Sequence, residues 1–558
     1  MKKYLFKFFS SSIIFFFTVS TIILAFNLIP LVTNILHSPS GRTFALIHNN
    51  AQDFFFYQSL MNEGAQGSWL TSDPYTTEDH QPSIIFSYFL WLGKLSSILK
   101  LPYAVTYHLI RLILSILFLF AAYYLIFQIK LPHPKLTFFF FVFASPFLHL
   151  IEVNGKKEWV PYMYWWTGID PVRRAAYLPH HMFGELFLVL SLIFLLKYMK
   201  QPEGKPLFFL TLFSALLAFV HTPSLMILLL TLPPAIFIFI LTAGKNTIKG
   251  LTSSKETYKT KDDFIGKINQ NYKKYLGLLV YWLISLSFLF LMLSQTSKGF
   301  PWSQYIVWEK RLQFPLNREL IGALGILFPF AVFGALQALI SKRFAYILSV
   351  SWLFVPFLFI PLAPFLNFSN IRLIQGVPYL PLAILAVIGI DTLSAKFFHR
   401  INKKILHGLI LTVFLIFTIP TIYLSVKDQI KEYWPIFGNV YFDNRLQKAF
   451  NFINSNFPKG TRTLSTFYTG NYLPAYTHTV SFIGHFGYTY KIDDKQALTR
   501  KFFENKMSLE EAKELIMNNK IVLIFQGPEE KPIYQNYLYP NLLKPVYDTE
   551  EVTIYTIK

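Results

Sequence analysis

The side chains in this chain that can carry chemistry are concentrated in a few segments that interrupt long apolar runs. The first reads His48-Asn-Asn-Ala-Gln-Asp53-Phe-Phe-Phe-Tyr57 and runs on to Gly67-Ser-Trp69-Leu. Asp53, Tyr57 and Leu60 fall on one helical face. A carboxylate there can act as a general base, activating a hydroxyl or amine acceptor. The plainer reading is a helix cap or first-turn Asp favoured by the helix dipole. The same loop continues Thr71-Ser-Asp73-Pro-Tyr75-Thr-Thr-Glu78-Asp79-His80-Gln81-Pro82. Glu78, Asp79 and His80 could bind a metal or hydrogen-bond a sugar. Three adjacent residues cannot all face one ion from a regular element, however, and capping of the next helix is the alternative.

A second group follows an aromatic cluster of Trp159, Tyr162, Tyr164, Trp165 and Trp166. It reads Asp170-Pro-Val-Arg173-Arg174-Ala-Ala-Tyr177-Leu-Pro179-His180-His181, with His221 in Val220-His221-Thr-Pro223. Aromatic belts form at membrane interfaces; stacking against sugars is the functional alternative. Adjacent His180 and His181 could bind metal, but no third ligand is evident beside them. Arg111 is an ionisable residue inside an apolar run, and so a functional candidate by default or a partner for Glu185. Arg173, Arg174 and Arg372 could meet lipid headgroups or form salt bridges. They could equally bind phosphate, whose oxygens a guanidinium matches in pairs.

The elements that must position these residues are membrane helices. The chain has 558 residues, 53% hydrophobic and 18% aromatic with 60 Phe, and only 15% charged. Soluble domains carry about 25% charge. Many stretches reach the roughly 20 apolar residues needed to cross a bilayer. The chain has no Cys, which excludes disulfides, thiolate metal sites and Cys nucleophiles. Its net charge of +21 is the balance that cytoplasmic loops of membrane proteins carry, and no nucleic-acid partner is inferred.

Expected spans are about 11–32, 103–127, 136–152, 181–199, 206–222, 224–243, 276–295, 319–341, 344–364, 377–395 and 405–425. The first is read as an uncleaved helix with the N-terminus inside. The apolar segment 83–100 is broken by Gly93, Lys94 and Lys100. If it crossed, every later loop would reverse sides. The loop 244–275 carries eight Lys (245, 249, 255, 259, 261, 267, 273 and 274) and belongs inside. So do Lys342-Arg343 and the run Lys396–Lys404. All three fall inside only if 83–100 lies on the outer surface as a non-spanning helix. That gives about eleven spans, residues 1–426, with outward segments at 34–102, 153–180, 296–318 and 365–376. A small α/β domain, 427–558, then also lies outside.

The first loop resembles that of the GT-C membrane glycosyltransferases, the class of aminoarabinose transferases, protein O-mannosyltransferases and oligosaccharyltransferases. Asp53 takes the acidic position, Tyr57 follows four residues on, and Gly67-Ser68-Trp69-Leu70 matches the turn. Phe86-Ser-Tyr88-Phe-Leu-Trp91-Leu-Gly-Lys94-Leu95 is similar to the surface helix. The usual Asp-Glu pair is reduced to Asp53-Phe54, and His80-Gln81-Pro82 stands where Lys-Pro-Pro would be. Asn370-Ile-Arg372-Leu-Ile-Gln375-Gly376 is similar to a late outer-loop Arg motif. The resemblance implies inverting transfer of a sugar from a polyprenyl-phosphate-linked donor. Asp53 would be the base, and His80, Arg173, Arg174 and Arg372 would hold the donor phosphate. Tyr57, Glu78, Asp79, His180, His181 and His221 would line the substrate site. Some branches use a divalent metal, for which Asp53, Glu78 and Asp79 are the ligand candidates. The acceptor, whether glycan, lipid or protein, is left open. A lipid-linked sugar transporter or flippase would show internal repeats and midplane charges, and a non-catalytic assembly protein is the third reading.

In the C-terminal part, 446–454 and 508–518 read as helices, the latter with a Ser-x-x-Glu capping box. Segments 461–466, 520–526 and 551–557 read as strands. Gly470-Asn-Tyr-Leu-Pro474-Ala-Tyr and Phe482-Ile-Gly-His485-Phe-Gly could line a site or simply pack loops. Asn367-Phe-Ser369 fits a glycosylation sequon but sits in a tight turn and is discounted.

Overall fold

The computed structural model describes residues 2–253, 261–314, 318–397, 400, 402–431 and 440–558. Lys255, Lys259 and His399 lie outside the described residues. The chain is mostly helical. Among the described residues, eight helices are long and apolar enough to cross a membrane, the first Ser12–Leu36 and the last Ile405–Ile430. Arg318–Leu324 and Leu327–Ser341 make a ninth if taken together, although they meet at a bend of 85°. The expected unbroken span 319–341 is therefore corrected. The break is at Gly325, whose φ of +64 suits a residue without Cβ; a Cβ there would also lie 2.1 Å from the Ser145 carbonyl oxygen.

Contacts divide the chain into two compact units. One comprises Met1–Pro30, Ile110–Leu291 and Glu309–Gln429; the other comprises Leu31–Leu109, Met292–Trp308 and Ile430–Lys558.

In the first unit the expected helical span 136–152 is corrected as well. Helix covers only Pro134–Phe143, after which the chain is extended and enters the hairpin Leu148–Val153 / Lys156–Pro161. The stop has a local cause, because the residue before Pro146 is biased away from helix. The segment still runs the length of its neighbours. His133 lies 3.5 Å from Asp391, whereas the Phe147 N–H donates to Gly322 O. Ala323, next to Gly322, accepts from the Tyr379 hydroxyl. Residues 379 and 391 are ~18 Å apart along one helix at 1.5 Å per residue. Ten helical residues reach only ~15 Å, and the extended residues that follow cover ~3.3 Å each. The hairpin turns at Asn154-Gly155, both at positive φ, the pairing that a two-residue turn demands.

In the second unit, helix Ala51–Ala65 is capped by Asn50, whose side chain accepts from the Gln52 N–H. It is buried on nearly every face, with Phe54, Phe55, Phe56, Tyr57, Leu60 and Met61 all in the core. Its partner Ser87–Leu99 has 13 residues, ~20 Å, too short for a 30 Å hydrocarbon core. Asn62 ties the first helix to helix Phe467–Tyr476 and its capping residue through the Pro474 and Thr477 carbonyls. Arg42–Phe44 pairs antiparallel with Tyr441–Asp443.

The C-terminal residues build a five-stranded mixed sheet. Its order is Val480–Ser481, Arg462–Leu464, Leu523–Gln526, Thr553–Ile557, Leu543–Asp548. The first three are parallel and the last two antiparallel to their neighbours. Leu464, Phe482, Phe502, Phe503, Ile516 and Ile524 fill the core between sheet and helices. Helix Leu509–Asn518 carries the expected capping box from Ser508 to Glu511.

Candidate functional site

Asp53 sits in the first turn of helix Ala51–Ala65, three residues after the capping Asn50. Its side chain is 40% exposed, and its Oδ1 lies 3.4 Å from His485 Nε2. Gln52 Oε1, one residue earlier, accepts the Phe486 N–H at 3.2 Å. Two bonds therefore bring the segment Phe482–Tyr490 to the start of this helix. His485 is nearly buried, beside Tyr75, Phe56 and Tyr488 with ring centroids 5.6, 5.6 and 4.6 Å away.

The other first-loop candidates have different surroundings. Tyr57 is buried and stacked on Phe89 at 4.1 Å and 7°, so its ring packs the helix pair instead of facing a substrate. Glu78 accepts from Lys495 Nζ at 2.7 Å and from the Thr76 hydroxyl. Burial alone would raise its carboxyl; the Lys495 and Thr76 bonds outweigh that and hold it below the usual range. Asp79 is ion-paired with Arg462 at 2.9 Å. His80 accepts the Asp73 N–H at Nε2 and donates from Nδ1 to Glu78 O, both at 2.9 Å. Both its ring nitrogens are engaged in its own loop, and neither is left for phosphate. Glu78, Asp79 and His80 thus hold the loop's shape and anchor it to Lys495 and Arg462. Asp53, Glu78 and Asp79 do not gather as a metal site. Among the described residues, no three His, Asp or Glu side chains are placed to hold a metal ion.

The first unit holds the guanidinium and imidazole candidates. Arg174 is buried, donates to Ile169 O and Ala144 O at 2.9 and 2.8 Å, and lies 3.9 Å over the Tyr379 ring. That surrounding makes it a bracket between segments, not a phosphate ligand. Arg372 forks onto Glu309, with Nε 3.0 and 3.1 Å from the two carboxylate oxygens, and its Nη1 reaches Gln375. Arg173 is partly exposed and makes no ion pair among the described residues. His180 and His181 open helix Pro179–Lys200. Their rings are 4.5 Å apart, and His181 is 4.4 Å from His221. His221 Nδ1 lies 2.8 Å from the Ser224 hydroxyl. The charge of Arg372 acts on all three rings. The three expected imidazoles are therefore brought together. Arg111 bonds Asn27 and the Ala176 carbonyl, while Glu185 has Arg174 as its cationic neighbour, so the expected Arg111–Glu185 pairing is not the one formed.

No protein-family model matches the chain, and no curated protein matches it in sequence. Solved structures do. The archaeal oligosaccharyltransferase AglB from Archaeoglobus fulgidus, in complex with an inhibitory peptide and a dolichol-phosphate, superposes at a TM-score of 0.53 with 12% identity. That match covers 92% of this chain and 70% of the other. The Archaeoglobus fulgidus oligosaccharyltransferase tethered to an acceptor peptide containing the NVT sequon also scores 0.53 at 12% identity, over 97% and 74%. The match to ArnT from Cupriavidus metallidurans bound to undecaprenyl phosphate covers 97% of each chain at 11% identity and a TM-score of 0.48. The chain shares its fold with these oligosaccharyltransferase structures.

Proposed function

We propose that this chain is a membrane glycosyltransferase moving a sugar from a polyprenyl-phosphate-linked donor to an acceptor on the outer face of a cell membrane. The observation that carries the reading is the fold similarity to an oligosaccharyltransferase that binds a dolichol-phosphate, extending over 92% of the chain. The partly exposed Asp53 supports it, since the loop's other candidate acids are ion-paired with Lys495 and Arg462.

In the proposed reaction Asp53 takes the proton of an acceptor hydroxyl or amine. The freed lone pair attacks the anomeric carbon opposite the phosphate. The bond from that carbon to the phosphate oxygen breaks, polyprenyl phosphate departs with the electron pair, and configuration inverts. Charge grows on the phosphate as it leaves, the kind of charge that a guanidinium side chain stabilises. His180 and His181 lie in the first turn of helix Pro179–Lys200, where backbone N–H groups favour anions, and His221 completes that polar cluster.

The same reading places the N-terminus and the loop 244–275 in the cytoplasm and the C-terminal residues outside. The test is incubation of the purified chain with polyprenyl-phosphate-linked hexoses and pentoses plus a cell-envelope extract as acceptor source. Release of polyprenyl phosphate with an inverted product is expected. A folded protein that turns over none of these donors contradicts the proposal.

A further inference from the structure

We propose that His485 is a positioning residue for Asp53, holding one oxygen of its carboxylate so that the other faces the acceptor. The inference rests on the reading of Asp53 as the base.

The Gly487 N–H donates to His485 Nδ1 at 3.0 Å. An imidazole nitrogen can accept that bond only when it carries no proton. In the neutral ring the proton is then on Nε2, the atom 3.4 Å from Asp53 Oδ1. The backbone of the segment thus selects the tautomer that donates to the carboxylate, as a partner on the far nitrogen does for functional imidazoles generally. Oδ1 is occupied, and Oδ2 is the oxygen left to take a proton.

The ring is also fixed in place. The Gly484 and His485 N–H groups both donate to Thr489 Oγ1 at 3.2 Å. The segment lies against Phe467–Tyr476 closely enough that a Cβ on Gly484 would be 2.5 Å from Gly470 O, and one on Gly470 would be 1.8 Å from Ile483 O. Tyr488 closes the far side and donates to the Tyr305 hydroxyl at 3.0 Å. A structural histidine needs only a satisfied hydrogen bond. Here the side chain is held from both nitrogens and three rings, and its one proton is aimed at the proposed base, the arrangement of nucleophile or base plus orienting group in other active sites.

Two measurements on the full-length chain in detergent test this. With 15N-labelled histidine, the resonance lost in His485→Gln identifies the ring. The expected result is a protonated Nε2, an unprotonated Nδ1, and an Nε2 signal that moves in Asp53→Asn. The opposite tautomer, or a signal unmoved by Asp53→Asn, overturns the proposal. The second is donor turnover on the polyprenyl-phosphate sugars. His485→Phe, which keeps the ring packing, is expected to lower kcat by ~10–100-fold, the effect of a misplaced catalytic group, with KM unchanged. His485→Gln, whose amide N–H reaches the same place, is expected to restore part of it. Wild-type kcat in His485→Phe, or no recovery in His485→Gln at an unchanged melting midpoint, overturns the proposal. Full activity in Asp53→Asn removes the base reading itself. An inactive Asp53→Asn beside a fully active His485→Phe removes only the role of His485.

Discussion

At the residue scale, what separates the acidic side chains of the first loop is their surroundings, not their type. Glu78 and Asp79 have cations within 3 Å, Asp73 is buried, and Asp53 alone among these faces a histidine at a partly exposed position. Glu63 gives a prediction independent of catalysis. Burial pushes its carboxyl up to about 7, against the opposing effects of the Ser72 N–H and Lys459. Between the ordinary value near 4.5 and about 7, the folded chain holds a proton that the unfolded chain has released. Stability therefore falls as pH rises through that window and is flat on either side. The melting midpoint should drop less between pH 5 and pH 8 in Glu63→Gln than in wild type; an equal drop contradicts the assignment. Arg173 gives a second. Its side chain has no ion-pair partner among the described residues, so Arg173→Ala should leave the melting midpoint in place. Loss of one charge-assisted bond to phosphate, roughly 1.5–3 kcal/mol, should cut kcat/KM for the donor by ~10-fold or more. Unchanged donor kinetics would remove Arg173 from the phosphate site.

The place of Asp53 in the first turn of an aromatic helix was legible in the sequence. The contact of His485 was not, since its partner is 432 residues away and its segment reads equally well as loop packing. The partners of Glu78, Asp79 and His80 were not legible either: their types announce chemistry, and only the fold supplies Lys495, Arg462 and the local backbone that bond them.

At the element scale, Ser87–Leu99 shows how charge bias and length agree. Lys94 and Lys100 argue against crossing, and thirteen helical residues are too few to cross. The helix is held against Ala51–Ala65 at backbone distance, for a Cβ on Gly93 would lie 1.8 Å from Met61 O. Gly93→Ala should therefore destabilise the chain by about 1–3 kcal/mol or more through overpacking, read as a lowered melting midpoint. Gly408→Ala, with nothing within 4 Å of the new atom, should not. Equal midpoints in the two variants contradict the close approach. Hydropathy failed where helix gives way to extended chain. An apolar run over 136–152 reads as one span, yet Pro146 and the Asn154-Gly155 pair were the signals for a stop and a hairpin. The bend at Gly325 was hidden for the same reason, because an apolar count does not register a positive φ.

At the scale of the whole molecule, class and fold were the most legible features. Composition makes the chain a membrane protein, and the fold similarity to oligosaccharyltransferases agrees with the resemblance read from the first loop. The proposed orientation has a direct test in a chain with no native Cys. Lys342→Cys and Lys513→Cys both replace exposed residues. A membrane-impermeant thiol reagent should label Lys513→Cys in intact cells or spheroplasts and Lys342→Cys only after lysis. The reverse pattern would turn the topology over and put the proposed chemistry on the cytoplasmic face.

The most direct measurement is release of polyprenyl phosphate from a sugar-linked donor by wild type and Asp53→Asn at matched folded protein. Removing a general base lowers the rate by ~10²–10⁴-fold, and the account predicts a fall of that size with the melting midpoint unchanged. Equal release by the two proteins would contradict it.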